Sequence, residues 1–149
     1  MTNYYQPMKY GPISVGQTNG DTYQFGVGRT VTVVYSCNEL GNDAVVLKET
    51  SDCVEDWIKT EWEDKVLLDR HTPNLDVFKT LQELEGININ IMPDQYDCGL
   101  KSSSKYLYDK LNELVQLTTQ GRVWIVEIEI LEQRESYGFK TERYFGAHK

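Results

Sequence analysis

Few side chains in this 149-residue chain are suited to metal or acid–base chemistry, and their placement narrows the choice further. There are two histidines, His71 and His148, and the first 70 residues contain none. A catalytic zinc site needs about three protein ligands, usually imidazoles, and an open position for water or substrate. The N-terminal half cannot supply such a set. His71, beside Thr72-Pro73, reads either as a partner for Asp69 or as an exposed loop histidine, and the second reading is preferred. Cys37, Cys53 and Cys98 are odd in number and scattered, which points to free thiols in a reducing compartment. Cys37, at the end of a strand-like run, reads as a small packed hydrophobe. The segment Gly99-Leu-Lys-Ser-Ser-Ser104 places a lysine and hydroxyls where a helix begins. Unpaired backbone N–H groups and the helix dipole favour anions there. Lys101, Ser102 and Ser103 therefore read as a phosphate cradle or, more blandly, as a solvated helix cap.

The elements that must hold these groups follow from periodicity. The first 20 residues, with Gly11-Pro12 as a turn signal, read as an irregular strand or hairpin. Arg29 to Ser36 alternates around Val31, Val33 and Tyr35 and reads as a strand. Glu39 to Asp43 reads as a hairpin loop, with Ala44 to Leu47 returning as an antiparallel strand. Asp52 with Glu55, or Ser51, is expected to cap a helix whose apolar face is Val54, Trp57, Ile58, Trp62 and Val66. A second helix is expected over Asp76 to Leu84, stopping at Gly86, and then a short strand at Ile87, Ile89 and Ile91. The serines at 102 to 104 read as caps of a helix carrying Leu107, Leu111, Leu114 and Val115, ending near Gly121. Val123 to Glu132 is the longest strand, with Trp124, Val126, Ile128 and Ile130 on one face, and a polar strand or tail follows through Tyr137, Phe139 and Tyr144. This order predicts one α+β domain over residues 1–149, an antiparallel sheet with two main helices on one face.

Composition excludes several classes. Net charge is −8, and lysines and arginines form no run, so a long nucleic acid is not an expected partner. No apolar stretch approaches the roughly 18 residues that span a bilayer, and Met1-Thr-Asn-Tyr-Tyr does not read as a signal peptide. A cytoplasmic location is expected. Ten tyrosines stand against four phenylalanines; they can stack on flat heterocycles, though a tyrosine-rich core or surface is the plainer reading.

Four segments occur in order at a family's spacing: Tyr10-Gly-Pro-Ile-Ser-Val-Gly-Gln17, Gly26-Val-Gly-Arg-Thr-Val-Thr-Val-Val-Tyr35, Ile91-Met-Pro-Asp94 and Gly121-Arg-Val-Trp-Ile-Val-Glu-Ile-Glu-Ile-Leu-Glu132. Together they resemble the 6-pyruvoyl/6-carboxytetrahydropterin synthase family, in a branch found in bacteria and phages. The resemblance covers roughly Lys9 to Glu142. It implies the tunnelling fold, in which protomers join sheets into a barrel, trimers stack as a hexamer and ligand sites lie between protomers. It also implies a zinc held by three histidines of the first hairpin. Those places fall on Gln17, Gly20 and Phe25, which cannot bind zinc, and the catalytic cysteine's place falls on Asp21. The family's Asp-His proton relay falls on Glu63-Asp64, a carboxylate without its imidazole. A family glutamate before the last long helix is Lys101 here.

One position is kept. The family's pterin-anchoring glutamate, at the end of the long strand, corresponds to Glu132. A carboxylate there can accept two parallel N–H bonds from a 2-amino-4-oxo ring such as guanine or pterin. The expectation is a protein without metal or cofactor that binds a guanine- or pterin-like ring or nucleotide through Glu132, with Lys101, Ser102, Ser103, Gln17, Phe25, Glu63 and Asp64 around it. A phage protein of this kind could sequester a host signalling nucleotide and so counter antiviral defence. The alternatives are an active enzyme of pterin or 7-deazaguanine biosynthesis, and a non-catalytic structural or protein-inhibitory subunit.

Overall fold

The computed structural model describes residues 2–19, 22–134 and 138–146. Gly20, Asp21, Tyr137 and His148 lie outside the described residues. Strands β1 (Tyr4–Asn19) and β2 (Thr22–Cys37) pair antiparallel from Tyr4↔Cys37 to Asn19↔Thr22. Helix α1 (Lys48–Trp62), strand β3 (Lys65–Leu68), helix α2 (Leu75–Glu85), strand β4 (Asn88–Ile91), helix α3 (Leu100–Thr119) and strands β5 (Val123–Arg134) and β6 (Gly138–Phe145) follow. The sheet order is β4-β3-β1-β2-β5-β6. Its central and C-terminal part is antiparallel, as expected, but β3 pairs parallel with β1 and β4 parallel with β3.

Helices α1 and α3 cover one face. Val54, Ile58 and Trp62 of α1 and Leu107, Leu111 and Val115 of α3 are buried on Val15, Val31, Val33, Ile128 and Ile130 of the sheet. Adjacent strand residues point to opposite faces, and β3 divides accordingly. Leu67 joins this main core, while Val66 and Leu68 join a second cluster with Phe78 of α2. Helix α2 thus covers the other face at the β3–β4 edge.

Several local expectations are corrected. Ala44 to Leu47 is not a strand; Gly41 and Ala44 form an isolated bridge, and Val45 and Val46 are buried in the main core just before α1. Leu47 is the N-cap of α1 and uses no side-chain bond, so neither Ser51 nor Asp52 caps it. Instead, the Ser51 hydroxyl bonds the Tyr10 hydroxyl at 2.7 Å, and Asp52 accepts from Lys48 at 2.8 Å. Val66 lies in β3, because Asp64 at φ 57 turns the chain after Trp62. Gly99 is the N-cap of α3, placing the three serines inside its first turns.

Bulges govern which side chains face the core. In β1–β2, pairing steps from Tyr10↔Val31 to Ile13↔Arg29, and again from Val15↔Val27 to Gly16↔Phe25, leaving Gly26 as an extra residue at φ +123. Gly11 has φ +109, and a Cβ there would meet the Arg29 carbonyl oxygen at 2.8 Å, so only glycine fits. In β5, pairing steps from Val34↔Glu127 to Tyr35↔Ile125. The core face is therefore Val123, Ile125, Ile128, Ile130 and Glu132, not the Trp124–Val126–Ile128 series that unbroken alternation predicts.

Candidate functional site

Arg29 occupies a core-facing position of β2 between Val27 and Val31 and is 0% exposed. A charge buried this deeply must be paired and hydrogen-bonded. Its Nε donates to Glu132 Oε2 at 3.1 Å, its Nη1 to Ser103 Oγ at 3.4 Å and its Nη2 to the Cys98 carbonyl at 3.2 Å. The guanidinium also lies 5.0 Å from the centre of the Trp62 ring, within cation–π range. Arg29 and Glu132 are direct register partners in β2 and β5, which places the ion pair on the sheet itself.

Glu132 is 3% exposed. Its second oxygen, Oε1, accepts from Arg134 Nε and Nη2, both at 2.9 Å. Burial alone pushes the carboxyl pKa up, but the charge of Arg29 and the bond and charge of Arg134 outweigh it, so Glu132 sits below the usual carboxylate range. Burial lowers the pKa of Arg29 against the opposing pull of Glu132. An arginine nonetheless stays charged at neutral pH.

The loop before α3 is tied to this pair. The Cys98 N–H donates to Asp69 Oδ1 at 2.5 Å, the Asp97 N–H to Ser102 Oγ at 3.0 Å and the Gly99 N–H to Asp97 Oδ1 at 2.8 Å. Asp69 is thus engaged by Cys98, while His71 Nε2 lies 3.6 Å from Asp94 with its side chain exposed. Burial and the bond to Asp69 push the Cys98 thiol up to about 12, which makes it a poor nucleophile at neutral pH. Cys37 is fully buried.

The structure joins some of the expected site residues and separates others. Glu132 and Ser103 meet through Arg29. Lys101 and Ser102 share the first turn of α3, with Lys101 exposed. Ser104 donates to the Lys101 carbonyl at 2.7 Å. Glu63 and Asp64 directly follow Trp62 and serve the turn into β3; Glu63 is the C-cap of α1, and the Asp64 N–H donates to the Ser14 carbonyl at 2.7 Å. Gln17 lies opposite Gln24 toward the far end of the hairpin. Phe25 is on the α2 side of the sheet, where a Cβ built on Gly16 would touch both Phe25 and Val66. An amide at Gln17 and a phenyl ring at Phe25 do not make a zinc site. Among the described residues, no three His, Cys, Asp or Glu side chains are grouped to hold a metal.

No protein-family model matches the chain, and no curated protein matches it. Solved structures do. An uncharacterized protein from Wolinella succinogenes superposes with a TM-score of 0.71 at 12% identity, covering 98% of this chain and 99% of that one. The 6-pyruvoyltetrahydropterin synthase of Plasmodium vivax, in a form substituted at a catalytic residue, gives 0.62 at 10% identity over 98% of this chain and 100% of that one. The Plasmodium falciparum synthase gives 0.61 at 10% identity over the same shares. This is the tunnelling fold. The likeness carries the α+β architecture, and at such identities it carries the architecture alone. Within that fold, Arg29, Arg134 and Trp62 complete the surroundings of Glu132; of the three, the sequence pattern marks only Trp62, and as a core residue of α1. Parity offered a signal for Arg29, a lone charge on the apolar face of a strand.

Proposed function

We propose that this chain is a ligand-binding protein on a pterin-synthase frame, holding a guanine- or pterin-like ring through Glu132 and using no zinc chemistry. The observation that carries this reading is the state of Glu132 at the end of β5. It is buried, held ionised, and fixed from the core side by Arg29. Arg29 is itself locked by Ser103, the Cys98 carbonyl and Trp62. Arg134, on the other oxygen, is 27% exposed and is the partner that an incoming pair of ring N–H groups displaces. Lys101 and Ser102, on the first turn of α3, stand on the rim for an attached phosphate. Gln17, Phe25, Glu63 and Asp64 do not wall the pocket around Glu132 within one chain, Phe25 being on the α2 side of the sheet; they belong to this proposal only as residues that a neighbouring protomer would contribute in a hexamer. A phage-borne protein of this kind would act by sequestering a host guanine nucleotide.

Titration calorimetry with guanosine and adenosine tests the anchor. Guanosine is expected to bind more tightly than adenosine. Glu132→Gln should cost roughly 2–4 kcal/mol, about 30- to 1000-fold, because a donor replaces an acceptor opposite a ligand N–H. Equal binding of the two nucleosides, or no effect of Glu132→Gln, would favour a second reading. In that reading the two-arginine clamp on Glu132 is purely structural and the chain is a subunit for protein contacts.

A further inference from the structure

Two arginines reach Glu132, and the two contacts differ in kind. Arg29 comes from the neighbouring strand inside the core. It gives Glu132 Oε2 one N–H at 3.1 Å and uses its other donors on Ser103 and the Cys98 carbonyl. Arg134 comes from the same strand, two residues on, and brings both Nε and Nη2 to 2.9 Å from Oε1. Its side chain is 27% exposed, against 0% for Arg29. Arg29 is therefore built in, and Arg134 is the contact that can open. The cluster also holds one cation more than the carboxylate needs. Against the upward push of burial, the charge of Arg29 is the largest of the influences that keep Glu132 ionised. Glu132 thus keeps a charged partner when Arg134 leaves.

What Arg134 presents to Oε1 is a planar N–C–N unit, two N–H donors carried on one carbon. The edge of a 2-amino-4-oxo ring is the same unit, a ring N–H and an exocyclic amine on one carbon. A side chain of the protein thus holds the anchor with the donor pattern of the expected ligand. We propose that Glu132 receives planar N–C–N donor edges as a class, and that Arg134 is its resident occupant, an autoinhibitory side chain that competes with the ligand. For the ring ligand the inference rests on the reading above; for the resident occupant it rests on the Arg134 contact. A ligand enters by taking over the Oε1 bonds while Arg134 turns to water. The exchange replaces one paired contact by another, so an incoming group with paired donors competes on equal terms. An ammonium is a point charge and lacks that geometry.

The test is calorimetry with guanosine, methylguanidinium and methylammonium on wild type, Arg134→Ala and Arg134→Ala combined with Glu132→Gln. Arg134→Ala should bind guanosine roughly tenfold more tightly than wild type, because a competing charge-assisted contact is gone. It should also bind methylguanidinium, which wild type, with its own guanidinium in place, should not. Methylammonium should bind neither protein, and adding Glu132→Gln should remove both gains. Where Arg134→Ala does not fold, Arg134→Lys takes its place; it keeps the charge without the paired donors, and the same order is expected. If methylguanidinium binds Arg134→Ala through Glu132 but no guanosine binds either protein, the ring reading falls and the resident occupant stands. If guanosine binds wild type at least as tightly as Arg134→Ala, the ring reading stands and Arg134 is no competitor. A gain for guanosine without methylguanidinium binding would make Arg134 an obstruction and not a mimic, and would overturn the inference. Equal binding of methylammonium and methylguanidinium would overturn it too, since charge alone would then explain the contact, as would a failure of Arg134→Ala to bind any of the three.

Discussion

Arg29 and Glu132 are worth more as a pair than either is alone. Removing one partner of a buried ion pair leaves an uncompensated charge, at a cost of about 3–5 kcal/mol. Arg29→Ala should therefore lower stability by that order in urea denaturation, although the residue touches no solvent. Replacing both with apolar residues of similar size, Arg29→Met with Glu132→Leu, should cost far less than the sum of the single changes. Glu132 also makes stability depend on pH. Its folded pKa lies below its ordinary value, so its stabilising contribution is complete above the usual glutamate pKa of roughly 4.3 and is lost as pH falls through the folded pKa. Urea midpoints measured from neutral to acid pH should fall more steeply for wild type than for Glu132→Gln, which has no such carboxyl to protonate. Parallel curves would show that the clamp on Glu132 contributes little. The same residues show how far a sequence reading reaches. Glu132 is singled out by the family resemblance; its place at the end of a long strand alone suits an exposed glutamate equally well. Arg29 shares the parity of Val31 and Val33 and so could be placed on the apolar face, but its partner could not, nor could Arg134, because the bulge in β5 shifts the parity of that strand.

At the level of elements, those bulges decide what meets what. Long patterns locate their elements: the Leu107, Leu111, Leu114 and Val115 stripe is α3, and the run from Val123 is β5. Short ones did not. Val66 falls at helical spacing from Trp62, so nothing local separates the end of α1 from the four residues of β3. The apolar run Val45-Val46 looks like a strand but is buried as a crossing segment before α1. Alternation along β5 misplaces Trp124 and Val126 because one extra residue near Val126 reverses the parity. The β1 bulge gives a direct check. Gly11→Ala combines a left-handed φ with a close approach to the Arg29 carbonyl, and should destabilise by at least about 1–2 kcal/mol. Gly28→Ala has neither problem and should be neutral or slightly stabilising. Equal effects in thermal denaturation would mean that the β1 bulge does not constrain Arg29.

At the level of the whole molecule, the sheet ends in two edges of different character. One is β4, four residues long, with Asn88 to Ile91 in a parallel pairing. The other is β6, eight residues long, which carries Phe139 and Phe145, each 65% exposed. Exposed strand edges are natural templates for pairing with another chain, and an unlike pair of edges closes only by head-to-tail assembly into a ring. A flanking aromatic at each end of β6 would be covered by such a junction, while a monomer gains nothing from exposing them. The expected state is a ring of several copies, and a hexamer if two three-membered rings stack. Light scattering at micromolar concentration should then give several times the 17.3 kDa chain mass. Phe139→Asp with Phe145→Asp should shift the protein toward the monomer without loss of helical signal, because both side chains lie outside the core. A wild-type protein that runs at the mass of a single chain would remove the neighbouring protomer from the ligand site. It would leave only the Arg29–Glu132–Arg134 cluster as the binding surface.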